Sequence, residues 1–193
     1  MAANITTVER FRELYGAPTN TSLKKQTASL NDIYRQWLAQ SCFFVIASAG
    51  VDGTDCTPRG DKTGQAFTIA DNKTILIPDR RGNNRLDTLS NIMHDPRVAL
   101  LFFIPGIEQT LRIMGRATVS IDNELLDRFA LKGMRPITCI SVSIEAVFFQ
   151  NNRALARSGL WTSQCVDAAI VPTPEQMIRS VGPDFGSDSD NAG

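Results

Sequence analysis

Hydrophobic residues follow a helical spacing in the first forty residues of the chain and a strand-like spacing after them. In the segment SLNDIYRQWLAQ, which begins at Ser29, apolar residues recur every three or four positions. They are Leu30, Ile33, Tyr34, Trp37 and Leu38. This spacing predicts an amphipathic helix packed on a core, with Asp32 completing a weak capping box. A shorter polar helix is predicted before it, from Thr6 to Tyr15.

The middle of the chain alternates between apolar, β-branched runs and short turns. The runs are CFFVIASA, QAFTIADNKTILIP, PRVALLFFI, TLRIMGRATVSI and ITCISVSIEAVFFQ, and the turns include GVDGTD, DNK and PGIEQ. Such runs predict antiparallel strands joined as hairpins. One helix interrupts them, and its apolar face consists of Leu86, Leu89, Ile92 and Met93. Short helices are also predicted after Asp122, after Asn151 and from Pro174.

These elements predict a mainly β chain with peripheral helices. About six strands joined by short turns favour a closed or nearly closed antiparallel barrel over a parallel α/β sheet. A length of 193 residues allows one domain with a sizeable core but not two full domains. We expect a single domain over residues 1–180 and a disordered tail over residues 181–193, which are rich in Gly, Ser and Asp.

Composition and charge exclude several classes of protein. The chain has 20 Lys and Arg against 20 Asp and Glu, so it lacks the basic excess of a non-specific nucleic-acid binder. No apolar run is long enough to span a bilayer, and the first residues are polar and mixed in charge. We therefore expect a cytoplasmic protein with neither a nucleic-acid nor a membrane partner.

The residues of common catalytic and metal sites are scarce. The four cysteines lie far apart, and His94 is the single histidine in the sequence. We interpret His94 as an ordinary residue at a helix C-terminus, where the macrodipole favours it. The glycine-rich phosphate-binding and dinucleotide-binding motifs and the H-E-x-x-H zinc motif are absent from the sequence. No metal site is predicted.

Two cationic, glycine-containing segments are the strongest candidates for chemistry. CTPRGDKTG places Arg59 beside Gly60 and Asp61, and IPDRRGNNR places three arginines just before a helix. Those arginines are Arg80, Arg81 and Arg85. A helix N-terminus with nearby arginines binds phosphate well, and Asn83 or Asn84 is expected to be its N-cap. The alternative is that these arginines are surface charges paired with Asp55, Asp61, Asp79 or Asp87.

Two further cationic segments come later in the chain. Arg112 and Arg116 are four residues apart on one strand and therefore share a face, which is either a ligand surface or an exposed strand face. Gly115 between them allows close approach by a ligand or marks a bulge. In RALARSGLW, a group with Arg157, Ser158 and Trp161 either closes over an aromatic ligand or packs at a subunit interface.

In their order and spacing, these segments resemble the pyridoxamine 5′-phosphate oxidase-like flavin-binding proteins. The resemblance extends from Ile33 to Trp161. It is carried by CFFVIASAGVDGTDCTPRGD, ILIPDRRGNNRLDTLSNIMHDPRVALLFFIPG, LRIMGRATV and CISVSIEAVFFQNNRALARSGLW, and its most specific part runs from Ile77 to Ile104. It implies a six-stranded antiparallel FMN-binding split barrel. It also implies a homodimer that holds FMN in the cleft between its two subunits.

The resemblance assigns site residues by position. Arg59, followed by Gly60 and Asp61, corresponds to the arginine that reaches the FMN phosphate, and Asn84 and Arg85 correspond to the helix-start residues that also hold it. The backbone lining the isoalloxazine corresponds to Pro78 and Asp79, followed by Arg80. Arg112 or Arg116 corresponds to a residue on the long strand near the partner's cofactor. The C-terminal segment that lies over the flavin corresponds to Arg157, Ser158 and Trp161.

The sequence also departs from the oxidases that act on vitamin B6. Those enzymes carry Ser-Arg-Lys at the helix start and a C-terminal Arg-x-His, whereas this chain has Gly82-Asn83-Asn84-Arg85 and no histidine after His94. It is therefore more similar to the uncharacterised bacterial members of the family.

The resemblance implies a flavin-dependent oxidoreductase that takes electrons from NADH, NADPH or a small organic substrate. The alternatives are a non-catalytic protein that stores or senses flavin, and an anion-binding barrel without a cofactor. FMN is the expected cofactor, while FAD, deazaflavin F420 and haem stay open.

Overall fold

The computed structural model of the chain describes residues 4–17, 24–151, 153–162 and 167–181. Its α-helices are α1 (Val8–Tyr15), α2 (Asp32–Leu38), α3 (Asp87–His94), α4 (Asn123–Asp127), α5 (Arg153–Ser158) and α6 (Pro174–Val181), and a 3₁₀ helix covers Ala168–Ile170. Its strands are β1 (Phe43–Gly50), β2 (Gly53–Gly60), β3 (Thr68–Ile69), β4 (Thr74–Asp79), β5 (Arg97–Phe103), β6 (Gln109–Ser120) and β7 (Thr138–Asn151). Apart from Val181, the predicted tail lies outside the described residues.

The described strands form one antiparallel sheet in the order β2-β1-β5-β6-β7-β4-β3. The predicted mainly β fold is confirmed, but the strand number differs, because the sheet has seven strands and we predicted six. The segment GVDGTD was expected to be a long turn. Instead β2 begins at Gly53, directly opposite Gly50, so that β1 and β2 form a tight hairpin with just two residues between the strands.

The sheet rolls up so that its two edges share one core. Phe44 of β1 packs on Phe102 of β5, and both rings contact Phe67, which comes just before β3 at the far edge of the sheet. The inner residues of β1, β5 and β6 alternate with outward residues, as a half-buried strand requires. The result is a barrel filled by apolar side chains, in which β2 and β4 approach each other without pairing.

Helix α2 packs on this core largely as predicted. Leu30, Tyr34 and Leu38 are buried, and Trp37 packs against the same cluster. Ile33 is exposed, because the core contacts the side of this short helix that carries Tyr34 and Leu38, and Ile33 points away from that side. The predicted capping box at Ser29 is wrong, since Asn31 is the N-cap and its side chain accepts a hydrogen bond from the Tyr34 amide (2.8 Å).

Helix α3 packs on the core and on the inner surface of the β1–β2 hairpin through Ile92, the partly buried Leu89 and two polar contacts. Ile92 enters the core, the Thr88 hydroxyl donates to the Asp55 carboxylate, and Asn91 donates to the Ser48 hydroxyl (3.2 Å). Of the predicted apolar face, Leu86 and Met93 are exposed. His94 ends the helix, as predicted, with its Nδ1 2.9 Å from the Ser90 carbonyl oxygen.

A smaller apolar cluster lies on the other side of β4. Leu76 and Cys139 pack there against Leu126 and Phe129 from the α4 region, and burial raises the pKa of the Cys139 thiol. As predicted, Asp122 caps α4, accepting a hydrogen bond from the Leu125 amide (2.9 Å). None of the helices in the described ranges is long and apolar enough to cross a membrane.

Candidate functional site

The inner face of β2 is polar, unlike the inner faces of the strands around it. Arg59 and Thr57 lie opposite Phe44 and Ile46 of β1, whose side chains fill the core. Because directly opposed residues point to the same side of a sheet, Arg59, Thr57 and Asp55 face the barrel interior. Polar side chains cannot complete an apolar core, so the barrel stays open beside β2.

This opening forms a cleft with a volume of about 550 Å³. Its walls are β2, the loop between β4 and α3, the first turn of α3, and the start of β7. The lining residues are Asp55, Cys56, Thr57, Arg59, Asp79, Arg80, Arg81, Gly82, Asn83, Asn84, Arg85, Leu86, Asp87, Thr88, Leu89, Ile137 and Thr138. Four arginines and three aspartates among them give the cleft a formal charge of +1, which favours an anionic ligand.

An ion pair between Arg59 and Asp79 joins the two sides of the cleft. Nη1 of Arg59 lies 2.9 Å from Oδ1 of Asp79, so the pair connects β2 with the end of β4. Thr138 lies opposite Asp79 in the β4–β7 pair. Two polar atoms here are buried without a hydrogen-bond partner among the described residues: the Nε of Arg59 and the hydroxyl oxygen of Thr138. Unpaired buried polar atoms are costly, so both atoms are available to a polar ligand.

The loop before α3 is shaped by left-handed residues and local hydrogen bonds. Asn84 and Leu86 have φ values of 59° and 60°. The Arg85 amide donates to the Asn83 side chain (3.2 Å), and the Arg85 guanidinium pairs with Asp87 (2.9 Å). Nearby, Arg80 donates to the carbonyl oxygen of Phe129 (2.9 Å).

Our prediction that Asn83 or Asn84 caps α3 is wrong. The N-cap is Leu86, and no side chain in the described part of the chain caps the helix. The Asn83 side chain instead holds the Arg85 amide, so Arg85 precedes the helix rather than lying in its first turn. The first amides of α3 therefore keep their hydrogen-bonding capacity at the edge of the cleft, where the helix dipole also favours an anion.

Five of the predicted site residues line this cleft: Arg59, Asp79, Arg80, Asn84 and Arg85. Three neighbours in sequence do not. Gly60 and Asp61 lie at the end of β2, where the Asp61 amide donates to the Cys42 carbonyl (3.1 Å). Pro78 is buried opposite Cys139, on the side of β4 that faces away from the barrel core.

The later cationic segments lie elsewhere in the described part of the chain. The Arg112 guanidinium lies 5.5 Å from the centre of the Phe148 ring on the outer face of β6, and Arg116 is exposed farther along the same face. Trp161 donates its indole N–H to the Ile107 carbonyl (3.0 Å) at the β5–β6 turn. Ser158, in the same segment as Arg157, donates to the Leu155 carbonyl (3.1 Å).

Gly115 marks a bulge, one of the two interpretations left open by the sequence. The β6–β7 register shifts between Met114 and Gly115, and Glu145 is the extra residue on β7. The backbone of Ser143 and the side chain of Val142, both on β7, occupy the space beside Gly115.

The cleft also contains residues that our sequence analysis did not assign to a ligand site. The sequence pattern could have identified Asp55 and Thr57, because polar residues at the inward positions of one strand, beside an apolar strand, indicate an opening in the core. No sequence pattern could have identified Ile137 and Thr138, because β7 meets β4 only through pairing between segments far apart in the chain. No group of three potential metal ligands occurs among the residues that the structure describes.

Comparisons with known proteins agree with this architecture. HupZ of Group A Streptococcus is 14% identical with a TM-score of 0.51, and the match covers 63% of this chain and 95% of that one. A pyridoxamine 5′-phosphate oxidase candidate from Lactobacillus delbrueckii is 19% identical with a TM-score of 0.51, again over 63% and 95% of the chains. At these identities the likeness concerns the fold. No curated protein matches the chain.

Family membership follows from the sequence of the barrel itself. The sequence model described as pyridoxamine 5′-phosphate oxidase matches residues 30–151, from two residues before α2 to the end of β7. This range contains the whole sheet and every residue that lines the cleft. The protein therefore belongs to the pyridoxamine 5′-phosphate oxidase family.

Proposed function

We propose that the cleft beside β2 binds FMN by its phosphate and that the protein is a flavin-dependent oxidoreductase. The observation that carries this proposal is the meeting of Arg59, the Asn84–Arg85 loop and the uncapped N-terminus of α3 on one positively charged cleft. Guanidinium groups and helix-terminal amides are the donors that proteins use for phosphate. The unpaired Nε of Arg59 and hydroxyl of Thr138 fit a ligand rich in oxygen and nitrogen.

In this proposal the chain's own residues bind and orient the cofactor. Arg59, Asn84 and Arg85 hold the phosphate, and the exposed side chain of Ile137 offers apolar contact area in the same cleft. When bound, the flavin supplies the redox chemistry, with NADH, NADPH or a small organic molecule as electron donor.

The visible spectrum of the purified protein tests cofactor identity. We expect the absorption of an oxidised flavin, and mass spectrometry of the released cofactor should give FMN rather than FAD, deazaflavin F420 or haem. Protein that is colourless as purified and takes up no FMN on reconstitution would contradict the proposal.

Replacing Arg85 with alanine tests the phosphate assignment. A lost charge-assisted contact costs about 1.5–3 kcal/mol, so FMN affinity should fall by roughly tenfold or more. Titration of FMN fluorescence measures this change. Arg135→Ala is the matched control, because Arg135 is also an ion-paired arginine, 3.0 Å from Asp127, and does not line the cleft. Equal FMN affinity in both variants would show that Arg85 does not bind the phosphate.

Rapid mixing with a reduced nicotinamide tests whether the protein is an enzyme. Loss of the flavin absorption within seconds of adding NADH or NADPH supports an oxidoreductase. FMN that binds tightly but is reduced by neither nicotinamide would exclude NADH and NADPH as donors, which leaves a small organic donor or a role in storing or sensing flavin.

The outer face of the barrel supports a homodimer as the functional unit. Across β1, β5, β6 and the end of β7, many outward positions carry apolar side chains that are left partly exposed, with a shallow hollow over the alanines. We call these residues the apolar outer face: Phe43, Val45, Ala47, Ala99, Leu101, Phe103, Met114 and Phe148. A contiguous apolar surface of this kind is typical of a protein interface. In the proposed dimer, this face carries Arg112 toward the partner's cofactor.

Replacing Ala99 with glutamate tests the dimer. Ala99 lies at the centre of the apolar outer face, between Ala47 and Met114, so the longer side chain of glutamate would protrude into the contact, and a second subunit would have to desolvate its carboxylate. We expect light scattering to show a dimer for the natural chain and a 21.2 kDa monomer for the variant. Asn72→Glu, in the exposed β3–β4 turn, is the control and should stay dimeric. A natural chain that is monomeric while binding FMN would contradict the proposed interface.

A further inference from the structure

Two Arg–Asp ion pairs line the cleft and differ in their exposure to solvent. Both have an N–O distance of 2.9 Å. The side chains of Arg59 and Asp79 are 29% and 13% exposed, whereas those of Arg85 and Asp87 are 74% and 47% exposed. Water screens the second pair, and the first pair interacts at a lower effective dielectric constant. The Asp79 charge therefore acts much more strongly on its surroundings than the Asp87 charge.

The structure holds the Asp79 carboxylate in place. Asp79 is the last residue of β4, it pairs with Thr138 of β7, and its carbonyl oxygen accepts the Ile137 amide (2.9 Å). The carboxylate engages one end of the Arg59 guanidinium at Nη1, while Nε is left without a partner. A phosphate that binds Arg59 must therefore share this cation with a fixed, poorly solvated negative charge. Two anions held close together repel each other, even across a shared guanidinium.

We propose that Asp79 is a specificity-determining residue that acts as an internal counter-ion to Arg59. Its charge sets how strongly the cleft prefers a flavin with a phosphate over riboflavin, which has the same ring system and no phosphate. The inference rests on the proposed binding of FMN in this cleft and assigns the Asp79 side chain a role separate from its backbone. Asp79 keeps the natural preference for FMN well below what the cleft arginines could provide.

The test compares FMN and riboflavin affinities in three forms of the full chain. Asparagine in place of Asp79 removes the charge and keeps an oxygen acceptor of the same shape for Arg59. The ratio of the riboflavin Kd to the FMN Kd should rise by about tenfold in Asp79→Asn, with little change in the riboflavin Kd. Asp87→Asn removes an equal charge from the solvent-screened pair, and its ratio should change by about threefold at most.

Two further results decide the interpretation. Asp79→Glu keeps the charge and should keep the natural ratio within about threefold. A natural chain with no preference for FMN over riboflavin would refute the proposed phosphate site, and the inference would fall with it. A natural chain that prefers FMN, together with an unchanged or lower ratio in Asp79→Asn, would overturn the inference and leave the proposed function standing. An equal rise in Asp79→Asn and Asp87→Asn would also overturn it.

Discussion

Alanine in place of Gly115 should destabilise the barrel by about 3 kcal/mol or more, at the upper end of the cost of overpacking a core. A Cβ at this position would lie 2.1 Å from the carbonyl oxygen of Ser143 and 3.0 Å from its carbonyl carbon. Both atoms belong to the β7 backbone, so no side-chain rotation can relieve the overlap. The two longest strands of the sheet would have to separate beside the bulge at Glu145.

Chemical denaturation measures this effect, because the free energy of unfolding is obtained directly from the transition. Gly82→Ala is the matched control, since no described atom lies within 4 Å of the added Cβ and its φ is not in the left-handed region. That variant should be neutral or stabilised by about 0.5 kcal/mol through the lower entropy of its unfolded chain. Gly115→Ala as stable as Gly82→Ala would mean that β6 and β7 are not as close at this point as the structure shows.

Local patterns were sufficient to predict most of the barrel. β5 and β6 are adjacent in the sequence and separated by a short turn, so their hairpin follows from alternation and turn residues. The same holds for the helix after Asp122, whose side-chain cap is a local interaction. β2 was harder, because its inward positions are Asp55, Thr57 and Arg59 and a pattern based on apolar alternation does not detect such a strand.

Residues that line the candidate cleft were predicted where family resemblance or local charge pointed to them, and were missed where their position depends on long-range pairing. The sequence alone could group Asn84 with Arg85, which are neighbours. It named Asp79 among four possible partners for the arginines but could not single out its pairing with Arg59, because this contact forms when the sheet rolls up and brings β4 to β2. Thr138 reaches the cleft through the same event, as the residue opposite Asp79.

The capping of α3 shows a different kind of failure. Two asparagines before a helix are good capping residues by propensity, yet the loop uses the Asn83 side chain for the Arg85 amide and gives the N-cap position to Leu86. A left-handed leucine is unfavourable by itself, and such strain is found where a site requires it. An uncapped helix N-terminus facing a cationic cleft is consistent with a site for an anion.

The other large effect that we predict follows from removal of the Arg59 side chain, which should weaken both FMN binding and the stability of the fold. Arg59→Ala should weaken FMN binding by about a hundredfold, since it removes a charge-assisted contact in the least exposed part of the cleft. It should also lower the free energy of unfolding by about 3 kcal/mol, because Asp79 is left poorly solvated without its counter-ion.

The double variant Arg59→Ala, Asp79→Ala separates the two consequences. Removal of both charges leaves no unpaired carboxylate, so most of the lost stability should return when unfolding is measured without FMN. FMN affinity should stay at least about tenfold below that of the natural chain, because the guanidinium is still missing. Recovery of FMN binding together with stability would mean that Arg59 contributes to the cleft by neutralising Asp79 and not by binding the phosphate. Persistent instability in the double variant would instead show that the Arg59 side chain stabilises the barrel by packing between β2 and β4.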